Sequence, residues 1–478
     1  MASPSTPPSV APGGRRPEAE LPVSTREGAA SVAVSSEYEA VRLVRDPLGR
    51  TIWRVGTPAV ASSLLMTVFA SVDAFWVGTR VGPAGLAAVS TSLFWVWLVV
   101  SIAEMVSVGL TAVAARRHGE RRHAEAALVV GDALLFALVL GATVAAAGTL
   151  ALDALFALMH TPPAVTALGE RYLHTYLLGA PLIFGFFAVD SAFRAAGNTR
   201  TPFFILAASV AITLVIDPVL ILGLFGAPKL GIAGAAIATV FARGAAFLIG
   251  LVLLVRRRLI RVRVPRLASV GAICRVGLPT ALTGVLFSSI YVILTRTTTR
   301  FGTPALAALG RGHRVESWFY MIGVGFGAAA AAIVGQNLGA GQPERAARAG
   351  WITVAYASAP GLLAFALMLA LPTELAAIFT SDPAVIAEAG RYLRIAAVAQ
   401  LFVAAEIVLE GALGGAGDTV PPMLTSTALT ASRIPIAAWA ASHFGPPGIW
   451  WTISLTAVAR GAAMMALWRS GRWTRRRL

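Results

Sequence analysis

The chain has 478 residues, 57% of them hydrophobic and 13% charged, with a mean hydropathy of +0.74; a soluble domain carries roughly 25% charged residues, so this composition excludes one and indicates an integral membrane protein. The net charge of +16 is almost wholly arginine, with Lys229 the only lysine, and the arginines cluster in short connectors between apolar runs instead of alternating with aromatics on one soluble face, which excludes a nucleic-acid binder. A single cysteine, Cys274, excludes an intramolecular disulfide and any cysteine-only metal site.

Residues 1 to about 50 are rich in Pro, Ser, Ala and Glu and hold no apolar stretch able to serve as a signal-peptide core. They read as a disordered cytoplasmic tail. Twelve apolar segments follow, each near the roughly 20 residues that a hydrocarbon core of about 30 Å requires. The expected spans are 54–78, 87–115, 124–152, 172–196, 202–225 and 231–255, then 277–299, 308–334, 350–371, 391–414, 422–442 and 448–468. Basic loops at 116–123, 256–266 and 343–348, and Arg469, Arg472 and Arg475 to Arg477, all fall on one side. That side is read as the cytoplasm of a multi-pass inner-membrane protein with both termini inside, although Arg296 and Arg300 depart from the pattern. The resulting organisation is a tail (1–50), a first lobe (51–255), a basic linker (256–275), a second lobe (276–468) and a basic tail (469–478). The linker is read as a solvated loop that fixes topology, with contact to anionic headgroups as the alternative.

The chain writes one plan twice. Residues 163–202, PAVTALGERYL through FRAAGNTRTP, return ungapped at 383–422, displaced by 220 residues, with twelve of forty positions identical. The same displacement pairs Gly82, Leu86, Ala87 and Ala88 with Gly302, Leu306, Ala307 and Ala308, and Gly119 with Gly339; one residue of slippage pairs Gly56 and Pro58 with Gly277 and Pro279. Six crossings per half return the second half in the same orientation, so the halves are expected to be related by an axis along the membrane normal. The fold class is therefore an all-α membrane protein, twelve transmembrane helices in two pseudo-symmetric six-helix lobes. Nothing in the pattern calls for an oligomer, and a monomer is expected.

VDAFWVGTRVGPAGLAAVS (72–90), FRAAGNTRTP (193–202), IDPVLILGLFGAPKLGIAGAAIAT (216–239), VGQNLGAGQPERAARA (334–349), GALGGAGDTVPP (411–422) and GPPGIW (445–450) resemble multidrug and toxic compound extrusion (MATE) transporters over residues 50 to 468. The resemblance implies a two-lobed fold of twelve helices and efflux of organic, often cationic, compounds in exchange for protons or sodium. It also implies a DinF-like branch, whose acids in helices 1 and 5 match Asp73 and Asp217. Thr213 stands where the family often has an asparagine one turn before the helix 5 acid. The sodium-coupled branch tends to carry a glutamate in helix 7; none occurs between Gly277 and Thr299, which favours protons. Pro58 resembles a family proline associated with helix bending, its alternative reading being a first-turn proline.

An ionised carboxylate at the centre of a bilayer costs at least ~2.5 kcal/mol on insertion scales, so each one asks for a reason. Asp73, Asp190 and Asp217 all belong to the first half and are expected around one cavity as proton-coupling or substrate-binding acids. Asp190 stands four residues before Arg194, where an intrahelical ion pair is the competing reading. Pro218, following Asp217, removes a backbone donor and loosens that helix. Thr213 and Thr239 are candidate cavity hydroxyls, with bonding back to their own helix as the alternative. Arg243 either neutralises a cavity acid or snorkels to the interface.

In the second half Glu406 and Glu410 share a helix face one turn apart, Glu316 lies in another segment, and Arg433 is the candidate cationic partner. They form either a salt bridge that locks the lobe or a second cation or substrate site. His313, near Glu316, is a candidate proton relay, with an interface residue as the competing reading.

Lys229 cannot complete a phosphate loop, and His118, His123 and His160 lack HExxH spacing, so neither an ATPase nor a metal hydrolase is encoded and no cofactor or metal is expected. The leading reading is an alternating-access antiporter that exports small organic molecules across the lipid bilayer in exchange for protons, or else sodium, with no nucleic-acid partner. The competing one is a flippase for a lipid-linked saccharide on a related fold, whose phosphates would ask for Arg194, Arg243 and Arg433 around an acid-free cavity.

Overall fold

The computed structural model describes residues 42–81, 83–159 and 162–476, apart from a few side chains, Asp73 among them. The first half forms α1 (Leu48–Arg80), α2 (Pro83–Gly119), α3 (His123–Leu150), α4 (Leu152–Met159), α5 (Pro163–Leu178), α6 (Ala180–Ala195), α7 (Arg200–Leu222) and α8 (Ile232–Arg256). The second forms α9 (Leu267–Thr299), α10 (Thr303–Gly339), α11 (Pro343–Ala370), α12 (Pro372–Ala377), α13 (Pro383–Ala416), α14 (Val420–Ala431), α15 (Arg433–Phe444) and α16 (Pro446–Arg469). Helices satisfy every backbone donor internally, which hydrocarbon demands. Among the described residues nine helices are long and apolar enough to cross a membrane, and the α5–α6 pair, bent by 52°, makes a tenth. The α14–α15 pair and α16 fill the two remaining places.

The two broken crossings have identifiable causes. Pro181, next to the Gly179 break, removes an interior donor between α5 and α6, whereas α13, the repeat counterpart, has Leu401 there and runs unbroken. Pro435 does the same between α14 and α15, while the corresponding α7 is continuous and carries Pro218 only near its end. Pro58 lies in the interior of α1, not in its first turn, because the helix already begins at Leu48.

The lobes cross each other twice. Gly277 of α9 lies so close to α2 that a Cβ there would stand 1.8 Å from the Met105 carbonyl oxygen, and Gly325 of α10 would meet the Val60 Cα of α1 at 2.4 Å. Each lobe's first helix thus packs on the other lobe's second helix. Gly119 and Gly339, repeat partners, meet at the basic end of α2 and α10, where a Cβ on either would come within 2.0 Å of Gln336 O or 2.1 Å of Arg116 O. The duplicated AGxT motif has a matching job in each lobe: the Thr199 hydroxyl donates to Val55 O at 2.8 Å and the Thr419 hydroxyl to Val276 O at 2.7 Å, tying the turn into the fifth helix of each lobe to its first.

Two expectations are corrected. The tail assigned to 1–50 falls outside the described residues as far as 41, but Arg42–Arg45 form a helical turn and Leu43 is wholly buried. The linker is docked in part: Leu259 and Ile260 are buried, Arg261 N donates to Ala127 O at 2.9 Å, and Arg263 pairs with buried Asp132 at 3.1 Å, while Val262, Val264 and Leu267 stay exposed.

Gly277→Ala is expected to destabilise the protein by about 1–3 kcal/mol or more, because backbone cannot yield as a side chain does. Gly271→Ala on the same helix, where a Cβ meets nothing within 4 Å, should leave stability unchanged or slightly raised. Thermal unfolding of the two purified variants side by side decides it, and equal midpoints would refute the crossing.

Candidate functional site

The middle of α2 and the C-terminal parts of α6 and α13, close to the crossings, bring charged side chains from both lobes to one place. Asp190 forms an ion pair with Arg194 one turn further along α6, as the competing reading held. Arg194 also reaches α2, its Nη2 donating to Ser107 Oγ at 3.4 Å, and the Ser107 and Ser191 hydroxyls bond at 2.5 Å. Arg194 is also the charge that acts on Glu104, an exposed acid midway along α2.

Facing them from the second lobe are Glu406 and Glu410. Glu406 is held by Arg460 of α16 at 3.0 Å. This corrects the assignment of Arg433 as partner: Arg433 spends its donors on Thr456 Oγ1 (2.6 Å), Tyr291 Oη (3.0 Å) and Ile453 O (3.3 Å), and acts on Glu406 only through space. Arg460 lies 5.6 Å from the Phe287 ring. Tyr320 of α10, 46% exposed, feels Glu410, Glu406, Arg460 and Glu104 together. Glu410 feels Glu406 and Arg460 beside it and, less strongly, Glu104 of the first lobe, and among the described residues neither Glu410 nor Glu104 receives a hydrogen bond or an ion pair.

Charge arithmetic follows from these pairings. Arg194 is matched with Asp190 and Arg460 with Glu406, which leaves Glu104 and Glu410 without an ion pair among the described residues; Arg433 and Arg243 give their donors to neutral groups. Two unneutralised acids in a region of apolar helices favour the approach of a cation or a proton.

Other expected site residues lie elsewhere. Asp217 is 1% exposed within α7, and the Thr213 hydroxyl one turn earlier bonds back to Ser209 O at 3.1 Å, the structural alternative. Thr239 is buried in α8. The Asp73 side chain lies outside the described set, as does His160. Arg243 does not snorkel: it is buried, 4.9 Å from the Phe186 ring and 5.4 Å from that of Phe69, donates to Met66 Sδ at 2.9 Å, and acts on Asp190.

Glu316 belongs to a separate chain inside the second lobe. It accepts from Tyr392 Oη at 2.7 Å and Gln400 Nε2 at 3.0 Å, and His313 stacks between Tyr291 and Tyr392. With its carboxylate engaged by two neutral donors, Glu316 is apart from the interlobe acids. Arg194, Arg243 and Arg433 do not converge on an acid-free cavity, which removes the support the flippase reading needed. Among the described residues no group of three or more His, Cys, Asp or Glu side chains is arranged for a metal.

Sequence reasoning passed over Glu104, Arg460 and Tyr320. For Glu104 and Arg460 the signal was the one applied elsewhere, a charge inside an apolar segment: SIAEMV within 87–115 and AVARGA within 448–468.

The chain matches the family described as MatE over residues 58–219 and 279–439, one stretch in each half. A protein of Thermotoga maritima named probable multidrug resistance protein NorM is 28% identical over 439 residues, which cover 88% of this chain and 92% of that protein. A Shewanella oneidensis protein named FAD transporter is 26% identical over 432 residues, covering 88% of this chain and 94% of its own. A solved structure described as MATE in the straight conformation superposes with a TM-score of 0.84 at 22% identity, covering 90% of this chain and 97% of the other, which establishes the shared fold.

Arg460→Gln strands Glu406 without its partner and should destabilise by ~3–5 kcal/mol, the cost of an uncompensated buried charge. Adding Glu406→Gln should recover much of that loss. A double-mutant cycle on thermal unfolding checks it, and additive losses would show the pair to be uncoupled.

Proposed function

The chain belongs to the MatE family of multidrug and toxic compound extrusion transporters, and on that premise we propose that it exports organic compounds, cationic ones among them, out of the cell in exchange for protons by alternating access. One observation carries the reading: Glu104 and Glu410, acids on opposite lobes, have no ion pair among the described residues, while Arg194 and Arg460 beside them are each held by another acid. A cationic substrate supplies the missing positive charge, and the exposed ring of Tyr320 offers it an aromatic face. Protons are the alternative occupants of the same carboxylates. Linkage then requires drug and proton to exclude one another, which is the thermodynamic condition for exchange.

Because the two acids stand on different lobes, their occupancy bears on how the lobes sit together. The basic end, read as cytoplasmic by its arginines, is shut by the Gly119–Gly339 contact and by Gln336 Nε2 donating to Ala195 O at 2.7 Å. Glu104 lies about 22 Å along α2 from Gly119 at 1.5 Å per residue. We read this as a transporter closed inward, with its acids reached from the outer side. Proton entry there neutralises Glu104 and Glu410, releases the cargo and permits return. Asp190, Asp217 and Asp73 of the first lobe serve as further coupling acids in this scheme, Asp190 through its pairing with Arg194.

The test uses the purified protein in proteoliposomes, with ethidium added outside and internal pH followed with and without sodium. Ethidium-driven proton movement independent of sodium is expected. Glu410→Gln should reduce it about tenfold or more, by removing one side of a charge pair, and Asp217→Asn should abolish it at unchanged yield of folded protein. Ethidium transport coupled to sodium alone, or intact transport in Glu410→Gln, would overturn the assignment.

A further inference from the structure

The segment before α1 is placed where an inward opening must begin. Leu43 is 0% exposed, and its side chain fills the space over Gly197, in the turn between α6 and α7, where a Cβ would come within 2.0 Å of Leu43 Cδ1. Gly197 has φ +88°, so only glycine holds that turn while leaving room. The Leu43 carbonyl meanwhile faces the second lobe, accepting from Asn337 Nδ2 of α10 at 3.5 Å and from Arg345 Nη2 of α11 at 3.4 Å. Arg345 also donates to the Asp46 carbonyl. The Asp46 carboxylate is tied back to α1 by Arg54 at 2.9 Å, so the segment is anchored in one lobe and bonded to the other.

The repeat supplies a second such segment. Displaced by 220 or 221 residues, the counterpart of Leu43 falls at Arg263 or Val264, in the lead-in to α9. That stretch lies on α3 of the first lobe: a Cβ on Gly131 would meet Arg261 O at 2.1 Å, and Arg263 reaches Asp132, itself 1% exposed. Each lobe's first helix is thus entered from a segment docked on the other lobe.

We propose that Arg42–Pro47 and the Arg261–Arg263 stretch are a pair of exchanged straps that hold the basic end of the two lobes shut and must come free whenever that end opens. Separation there carries α10 away from the α6–α7 turn, and Leu43 cannot stay on Gly197 and Asn337 at once. The strap therefore sets how much of the protein is closed inward at rest.

Distances between spin labels on the two lobes test this without substrate. With Cys274→Ser removing the native thiol, labels at Ala124→Cys on α3 and Arg348→Cys on α11, both exposed, report separation of the basic ends in nanodiscs. The otherwise unaltered chain should give one short population. Leu43→Ala, Arg345→Ala and Arg263→Ala should each raise the ratio of long to short distances about tenfold or more. Arg45→Ala, exposed on the same segment and making none of these contacts, should change nothing. Arg345 is only part-buried, so its variant carries the test even where Leu43→Ala lowers the folded yield. Distributions unchanged in all three strap variants would overturn the proposal. The readout is lobe separation, so it stands or falls apart from whether protons drive export.

Discussion

Everything in this structure depends on how closely two pairs of helices approach. The Gly277–Met105 and Gly325–Val60 contacts put backbone against backbone, and only the absence of a side chain permits it. A helix that approaches this closely trades side-chain packing for dispersion contacts between backbones and loses the freedom to slide, since any Cβ in the register would clash. The lobes are therefore set relative to one another by a few glycines. That setting brings α2, α6, α10 and α13 together, and with them the acids that the remainder of each lobe holds in place. The same contacts account for the closed basic end, where Gly119 and Gly339 meet.

Within that frame, electrostatics is a matter of who is already paired. Arginine next to acid is common in this chain, and most such pairs satisfy each other: Arg194 with Asp190, Arg460 with Glu406, Arg263 with Asp132. Satisfied pairs are neutral and hold helices together. Glu104 and Glu410 are left between the lobes without an ion pair among the described residues. The second lobe keeps another chain of polar side chains, Glu316–Tyr392–His313–Tyr291–Arg433, in which hydrogen bonds and ring contacts run from group to group. These contacts tie α9, α10, α13 and α15 to one another, while His313 Nε2 is left without a hydrogen-bond partner among the described residues.

The repeat also shows how one plan is put to two uses. Asn198 caps α7 by accepting from Thr201 N, whereas its counterpart Asp418 accepts from Arg476 of the terminal segment, which packs Trp473 against Trp468 with ring centroids 3.9 Å apart. The amide and the acid sit in equivalent turns, and the added charge ties down the chain's end. Likewise Asp190 and Glu410 are equivalent by position, but only the first has an arginine one turn on; in the second half that place is held by Gly414. A single substitution separates a closed ion pair from a free carboxylate.

The amino-acid sequence by itself determined the class, the count of crossings, the two-fold plan and the family, because apolar length, arginine placement and a fixed displacement are all properties of position along the chain. It named Glu406 and Glu410 for the same reason, as charges within apolar runs. It named Arg433 as their partner and passed over Arg460, since which arginine meets an acid depends on how α16 turns against α13, and no spacing within one segment encodes that. Helix ends were longer than the apolar runs, as at Leu267 and Leu48, because helical hydrogen bonding continues past the apolar residues. Only the tertiary structure decided that Leu43, in a charged stretch before the first apolar run, is among the most buried of the described residues, and that Glu104 and Glu410 lie in one region between the lobes. Both depend on surfaces contributed by opposite halves, and a surface made by two halves exists only once they have folded together.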